Sequence, residues 1–145
     1  MIPKGLLIAI IVGVSSALIL GVYLQKTYNS NDLKFIEGTS ISILTDKSDY
    51  TINDTIVVEI INTGTVDVSF SNMAPSLRVR ALDGTEFYSA FSEGTNLAPK
   101  EKITISWNQL KNDNTHILEG RYVIESFVYD KDQKIHDSTT INVFK

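Results

Sequence analysis

The chain has no cysteine among its 145 residues, so it can build no disulfide, thiolate nucleophile or cysteine metal site. Proline occurs three times and glycine eight times, which excludes a collagen-like repeat or a linker-dominated chain. Histidine is nearly absent. His116 and His136 both lie in polar segments, "NDNTHILEG" and "KDQKIHDST", and read as surface residues. No G-x-S-x-G, H-E-x-x-H or glycine-rich phosphate loop occurs. A hydrolase needs a nucleophile held by a base, usually histidine, and no such constellation can be assembled. The expectation is a protein that is not an enzyme, with no catalytic residue and no cofactor.

Charge is missing from one long stretch. No acidic or basic residue occurs between Lys4 and Lys26, and an apolar run begins at Leu6 and ends at Leu24. As a helix this run would extend about 28 Å at 1.5 Å per residue, close to a bilayer core of roughly 30 Å. A buried core helix of that length would show a polar stripe, and Ser15 and Ser16 alone do not make one. A cleaved secretory signal would have a shorter apolar region followed by a small-x-small site. The chain instead continues Gly21-Val22-Tyr23-Leu24-Gln25-Lys26. Residues 1–25 are therefore expected to be a tail and an uncleaved transmembrane helix, with the lipid bilayer as partner. Tyr23 and Tyr28 would sit near the interface. Gly13 and Gly21 would admit a second helix, although they are not spaced as GxxxG.

Composition then shifts. From Lys26 onward twelve bases face seventeen acids, a balance of −5. That balance favours solubility and disfavours nucleic acid or an anionic membrane surface as partner. Residues 26–38 are polar and turn-rich and read as a stalk. Flanking lysines give a nearly even charge rule for orientation. A domain rich in Ser, Thr and Asn on short strands places it on the extracytoplasmic side of a cytoplasmic membrane. The sequon Asn53-Asp54-Thr55 makes Asn53 a possible glycosylation site on that side.

Residues 39–145 read as about eight short strands separated by turn signals, with no long helical periodicity. Ile41 and Ile43 alternate with Ser42, and residues 55–61 are rich in β-branched side chains. Asn62-Thr63-Gly64-Thr65 reads as a tight hairpin turn into Val66, Val68 and Phe70, with Gly64 free to take positive φ. Leu77, Val79 and Ala81 alternate with Arg78 and Arg80, which read first as a solvated face and second as a contact surface. Asp83-Gly84 supplies another hairpin turn. Ile103, Ile105 and Trp107 share one face, and Tyr122, Ile124, Phe127, Val128, Ile141 and Val143 follow. The expected fold is all-β, an antiparallel immunoglobulin-like sandwich of about seven or eight strands behind one transmembrane helix.

Few residues invite a functional reading. Trp107 reads as core. Phe87, Tyr88 and Phe91 lie within five residues and cannot all face one side of a regular strand, so at least one is an exposed candidate anchor. Asp130 and Asp132 are weak calcium candidates, and Asn112-Asp113-Asn114 is the most oxygen-rich loop. Neither matches an EF-hand, and both read first as turns using their side chains for local backbone bonds.

The ordered set "NTGTVDVSFS…LRVRALDGTEFY…LAPKEKITISWNQ…EGRYVIESF" resembles the intracellular proteinase inhibitor-type (BsuPI-like) β-sandwich over residues 50–128. That resemblance implies a sandwich and an inhibitor-like domain presenting a loop at 72–76 or 92–99. Asn72, Met73 and Pro75 are the interaction candidates there. The family's usual glutamine and aspartate are replaced by Met73 and Ser76. Lys4-Gly5 before an apolar helix is similar to the processing site of archaeal type IV pilin-like precursors, including archaellum stator-type subunits. It implies cleavage after Gly5 and a filament or stator subunit. The leading expectation is an interaction module or accessory subunit that contacts another envelope or membrane protein, not nucleic acid.

Overall fold

The structure, a computed structural model, describes residues 5, 14–16 and 33–145. Gly5 and residues 14–16 are helical. The expected transmembrane helix and the cleavage point after Gly5 otherwise lie outside the described residues. Among the described residues no helix is long and apolar enough to cross a membrane.

Leu33–Lys145 is one compact unit of ten strands. They are β1 (Ile41–Thr45), β2 (Asp49–Thr51), β3 (Ile56–Asn62), β4 (Val68–Ser69), β5 (Leu77–Ala81), β6 (Glu86–Ala90), β7 (Asn96–Leu97), β8 (Lys102–Trp107), β9 (Gly120–Asp130) and β10 (Gln133–Phe144). The excess over the expected number comes from β2, β4 and β7, which are two or three residues long. One sheet has the order β1-β3-β8. The other is built on the long β9–β10 hairpin, with β2 beyond β10 and both β4-β7 and β5-β6 joined through β9. All pairings are antiparallel except β2 with β10, which is parallel and departs from the expectation.

Period-two alternation explains the shared core. Ile41 and Ile43, Ile56, Val58 and Ile60, and Trp107 project from the smaller sheet. Leu77 and Val79, Ile124 and Val128, and Ile141 and Val143 meet them from the larger one. The Trp107 indole stacks on Tyr88 at 5.7 Å, and its Nε1 donates to the Leu110 carbonyl at 2.8 Å. The Tyr122 hydroxyl donates to the Leu118 carbonyl at 2.7 Å, and burial pushes its pKa up.

The segment 60–70 corrects the sequence reading. Its two strands are not a hairpin: β3 pairs with β1 and β8, whereas β4 pairs with β7 and β9. The chain crosses between sheets here, and Asn62 holds the crossing. Its buried Nδ2 donates to the carbonyls of Val66 and Leu97, each at 2.8 Å, and its Oδ1 accepts from Gly64 N at 2.9 Å. Gly64 does not need positive φ. It needs the absence of a side chain, because a Cβ there would sit 2.2 Å from the Gly38 carbonyl oxygen. Val68 and Phe70 enter the core as expected, but Val66 is exposed.

The same contacts move the start of the domain. Ile36 N donates to Thr63 O, Thr65 N donates to Gly38 O, and Gly38 N donates to Thr65 Oγ1. The end of the expected stalk is therefore bonded into the compact unit. Buried Gln109 adds a tie that no sequence pattern announced, donating to Thr51 O at 2.8 Å and accepting from Asn53 N at 3.2 Å.

Candidate interaction surface

Two loops named by the sequence come together. Residues 71–76 leave β4 and lead into β5, and residues 91–95 leave β6 and lead into β7. Ser76 is fully buried and ties them: its hydroxyl donates to the Ala90 carbonyl and bonds the Ser92 hydroxyl, both at 3.0 Å. Phe70 N donates to Thr95 O at 2.9 Å. Ser76 thus has a structural task. Within the first loop Ala74 is buried, Pro75 is half-buried and Asn72 is exposed. Met73 is 76% exposed and Phe91 is 56% exposed, so each bound loop presents a large apolar side chain to solvent.

The aromatic trio divides in an unexpected way. A register shift lies between Val79 and Arg80: Val79 pairs with Tyr88, and Arg80 pairs with Glu86. Phe87 is the extra residue of this β-bulge, which lets neighbouring side chains share one side. Tyr88 stacks on Trp107, and Phe87 meets the Tyr122 ring edge-on at 5.8 Å. Only Phe91 is exposed among the three. Phe87 also borders a shallow pocket with Glu86, Lys111, Asn112 and Asp113. Asn112 closes the β6 edge there, donating its N to Phe87 O at 2.9 Å and accepting from Ser89 N at 3.1 Å.

Arg78 and Arg80 are half-buried and ion-paired, which corrects the expectation of a solvated face. Arg78 Nε lies 2.8 Å from Glu125 Oε2, and Arg80 Nη2 lies 2.8 Å from Glu125 Oε1. Burial opposes the charge on Glu125. The two guanidiniums outweigh it and hold the carboxyl below its usual range. The Arg78 guanidinium also lies 4.7 Å from the Phe127 ring centre. On the β10 side Lys134 Nζ lies 4.2 Å from that centre, and His136 stacks on the ring at 5.8 Å. Sequence reasoning missed this cluster because it depends on register. Arg78 lies opposite Glu125, and Phe127 lies opposite His136.

The remaining candidates stand apart. Asp130 and Asp132 flank the β9–β10 turn, whose Lys131 has φ 53°. Asp113 is engaged locally by the Thr115 hydroxyl at 2.6 Å and the Thr115 N–H at 2.9 Å, which lowers its pKa. Among the described residues no group of three or more His, Cys, Asp or Glu side chains is placed to hold a metal ion. Asn53 is exposed in a turn with φ 75°.

No protein-family model and no curated protein matches the chain. Among solved structures it is similar to the sporulation control protein Spo0M from Bacillus subtilis, at 13% identity over 74% of this chain and 50% of that one, with a TM-score of 0.40. It is also similar to a β-glucosidase from Erythrobacter marinus, at 18% identity over 73% of this chain and 16% of that one, with a TM-score of 0.35. For a β-glucosidase from Listeria innocua the values are 12% identity, 72% and 16% coverage, and a TM-score of 0.35. The chain spans half or less of the length of each.

Proposed function

We propose that the protein is a membrane-anchored interaction module, an accessory subunit whose immunoglobulin-like sandwich contacts another protein of the cell envelope. The observation that carries this reading is the pair of tied loops presenting Met73 and Phe91. Exposed apolar side chains on loops already tied in place spare a partner the cost of ordering the loop backbone and serve as anchors. The finer fold name is supported by two features. The strand orders β1-β3-β8 and β10-β9-β5-β6 suit such a sandwich, and the Tyr122–Leu118 bond has the form of a tyrosine corner. Anchoring rests on the uncharged run between Lys4 and Lys26.

The test is affinity purification of the full-length chain from membranes in mild detergent. A specific co-purifying envelope protein is expected, and its recovery should fall severalfold with Met73→Ala and Phe91→Ala combined. Recovery of no protein beyond an unrelated anchored control overturns the module reading. Inhibition of a subtilisin-like protease by the same preparation would instead favour the inhibitor reading drawn from the BsuPI-like resemblance.

A further inference from the structure

Phe127 lies outside the main packed cluster, yet it is only 6% exposed. Arg78, Lys134 and His136 cover it. Arg78 and Arg80 face one carboxylate, Glu125, and Glu86 lies opposite Arg80 in register, so with Lys134 this area carries three bases and two acids on a domain whose overall balance is negative. Glu125 takes Arg78 Nε and Nη2, and Ala81 O takes Arg80 Nη1. Arg78 Nη1 and Lys134 Nζ meet no acceptor among the described residues. Asp130 and Asp132, in the turn of the same hairpin, form no ion pair with either cation. Both cations approach one ring, so they lie within about 9 Å of each other, the sum of their two distances to its centre.

The loop carrying Met73 borders this area. The chain leaves β9 at Ser69, opposite Tyr129, and rejoins it at Arg78, opposite Glu125. The loop carrying Met73 therefore passes beside the strand position of Phe127.

We propose that this face binds an acidic segment of a partner protein, with carboxylates at alternate residues engaging Arg78 and Lys134. Alternate side chains of an extended segment share one face about 6.6 Å apart, which lies inside the upper limit on the separation of the two cations. Glu125 occupies Nε and Nη2 of Arg78, so an incoming carboxylate meets the remaining Nη1 as a charge-assisted hydrogen bond. A peptide suits the surface better than a nucleic acid or a membrane. The acidic remainder of the domain repels a long polyanion, and the loop carrying Met73 offers an apolar contact that a short peptide can use.

This inference deepens the module reading and rests on it. Its test uses the full-length chain in nonionic detergent and a short labelled peptide alternating glutamate with threonine, read by fluorescence anisotropy. The glutamate peptide should bind at least about tenfold more tightly than its glutamine counterpart, and added salt should weaken it. Lys134→Glu should abolish that preference and create binding to the lysine counterpart. Lys134 is exposed, so losing its contact with the ring should lower the melting temperature of this variant by only a few degrees and leave the fold intact. Equal affinity for the glutamate and glutamine peptides overturns the proposal, as does an unchanged preference in Lys134→Glu. Binding to phosphatidylserine vesicles or an oligonucleotide without binding to the peptide also overturns it. A co-purifying partner that depends on Met73 and Phe91 but is retained by Lys134→Glu keeps the module reading and defeats only this inference. Acidic-peptide binding without any co-purifying partner does the reverse.

Discussion

Tyr50 shows how a single side chain ties a short strand to its surroundings. Its ring is buried in the core. Its hydroxyl donates to Asp46 Oδ1 at 2.7 Å and accepts from Lys47 N at 3.0 Å. Asp46 Oδ1 in turn accepts from Val57 N at 3.1 Å, so one phenol helps join the β1–β2 connection to β3. Burial, with the neighbouring carboxylate, pushes the Tyr50 pKa from 10.0 up to about 12. The folded state therefore keeps a proton that the unfolded chain releases. The stability this contributes is complete below pH 10 and is lost as pH rises toward about 12. Urea unfolding across that range should show an alkaline loss that Tyr50→Phe reduces. The same variant should lose about 1 kcal/mol at neutral pH for the broken hydroxyl bonds. An unchanged alkaline slope in the variant would show that Tyr50 is not the group responsible.

At the scale of elements, the sequence revealed strands better than their partners. The alternation of Ile41 with Ile43, and of Leu77 with Val79, placed core faces correctly because period two is a local property. Pairing is not local. Asn-x-Gly serves a tight hairpin and a crossing between sheets equally well, so residues 60–70 concealed that β3 and β4 belong to different sheets. Arg78 and Arg80 read as solvated for the same reason: their partner Glu125 is 47 and 45 residues away, and only the β5–β9 register brings it near. The bulge at Phe87 hid the inward placement of two consecutive aromatics. The loops at 72–76 and 92–99 were singled out through a resemblance and not through a local pattern, and the Ser76 tie had no signal in the sequence because its partners at Ala90 and Ser92 are distant along the chain. Gly64 supplies the test of the crossing. A methyl group there meets backbone on two sides, the Gly38 carbonyl oxygen at 2.2 Å and Ser40 N at 2.8 Å, and neither is the end of a flexible side chain. Gly64→Ala should cost about 2–3 kcal/mol in chemical denaturation, the upper part of the range for overpacking. A change near zero would mean that the crossing has room the close contact denies.

For the whole molecule, composition separated an apolar beginning from a β-rich remainder, while hydrogen bonds define where the compact unit starts. The shift from polar stalk to alternating strand suggested Thr39, because 33–38 has no periodicity to mark it as structured. Those residues earn their place through backbone bonds to the crossing, which no side-chain pattern records. Ile36 N to Thr63 O is 3.0 Å, Thr65 N to Gly38 O is 2.8 Å, and Gly38 N to Thr65 Oγ1 is 2.9 Å. A chain beginning at Leu33 retains all three bonds and every residue of the buried cluster, which starts at Ile41. It should therefore unfold in urea as a single cooperative unit. A chain beginning at Thr39 keeps the same cluster but loses the three bonds, leaving groups at the crossing without their partners. At about 1 kcal/mol net for each bond, it should be about 2–3 kcal/mol less stable, with a lower urea midpoint and little change in slope, because little apolar surface is removed. Equal midpoints for the two chains would return the boundary to Thr39 and reduce 33–38 to a tether.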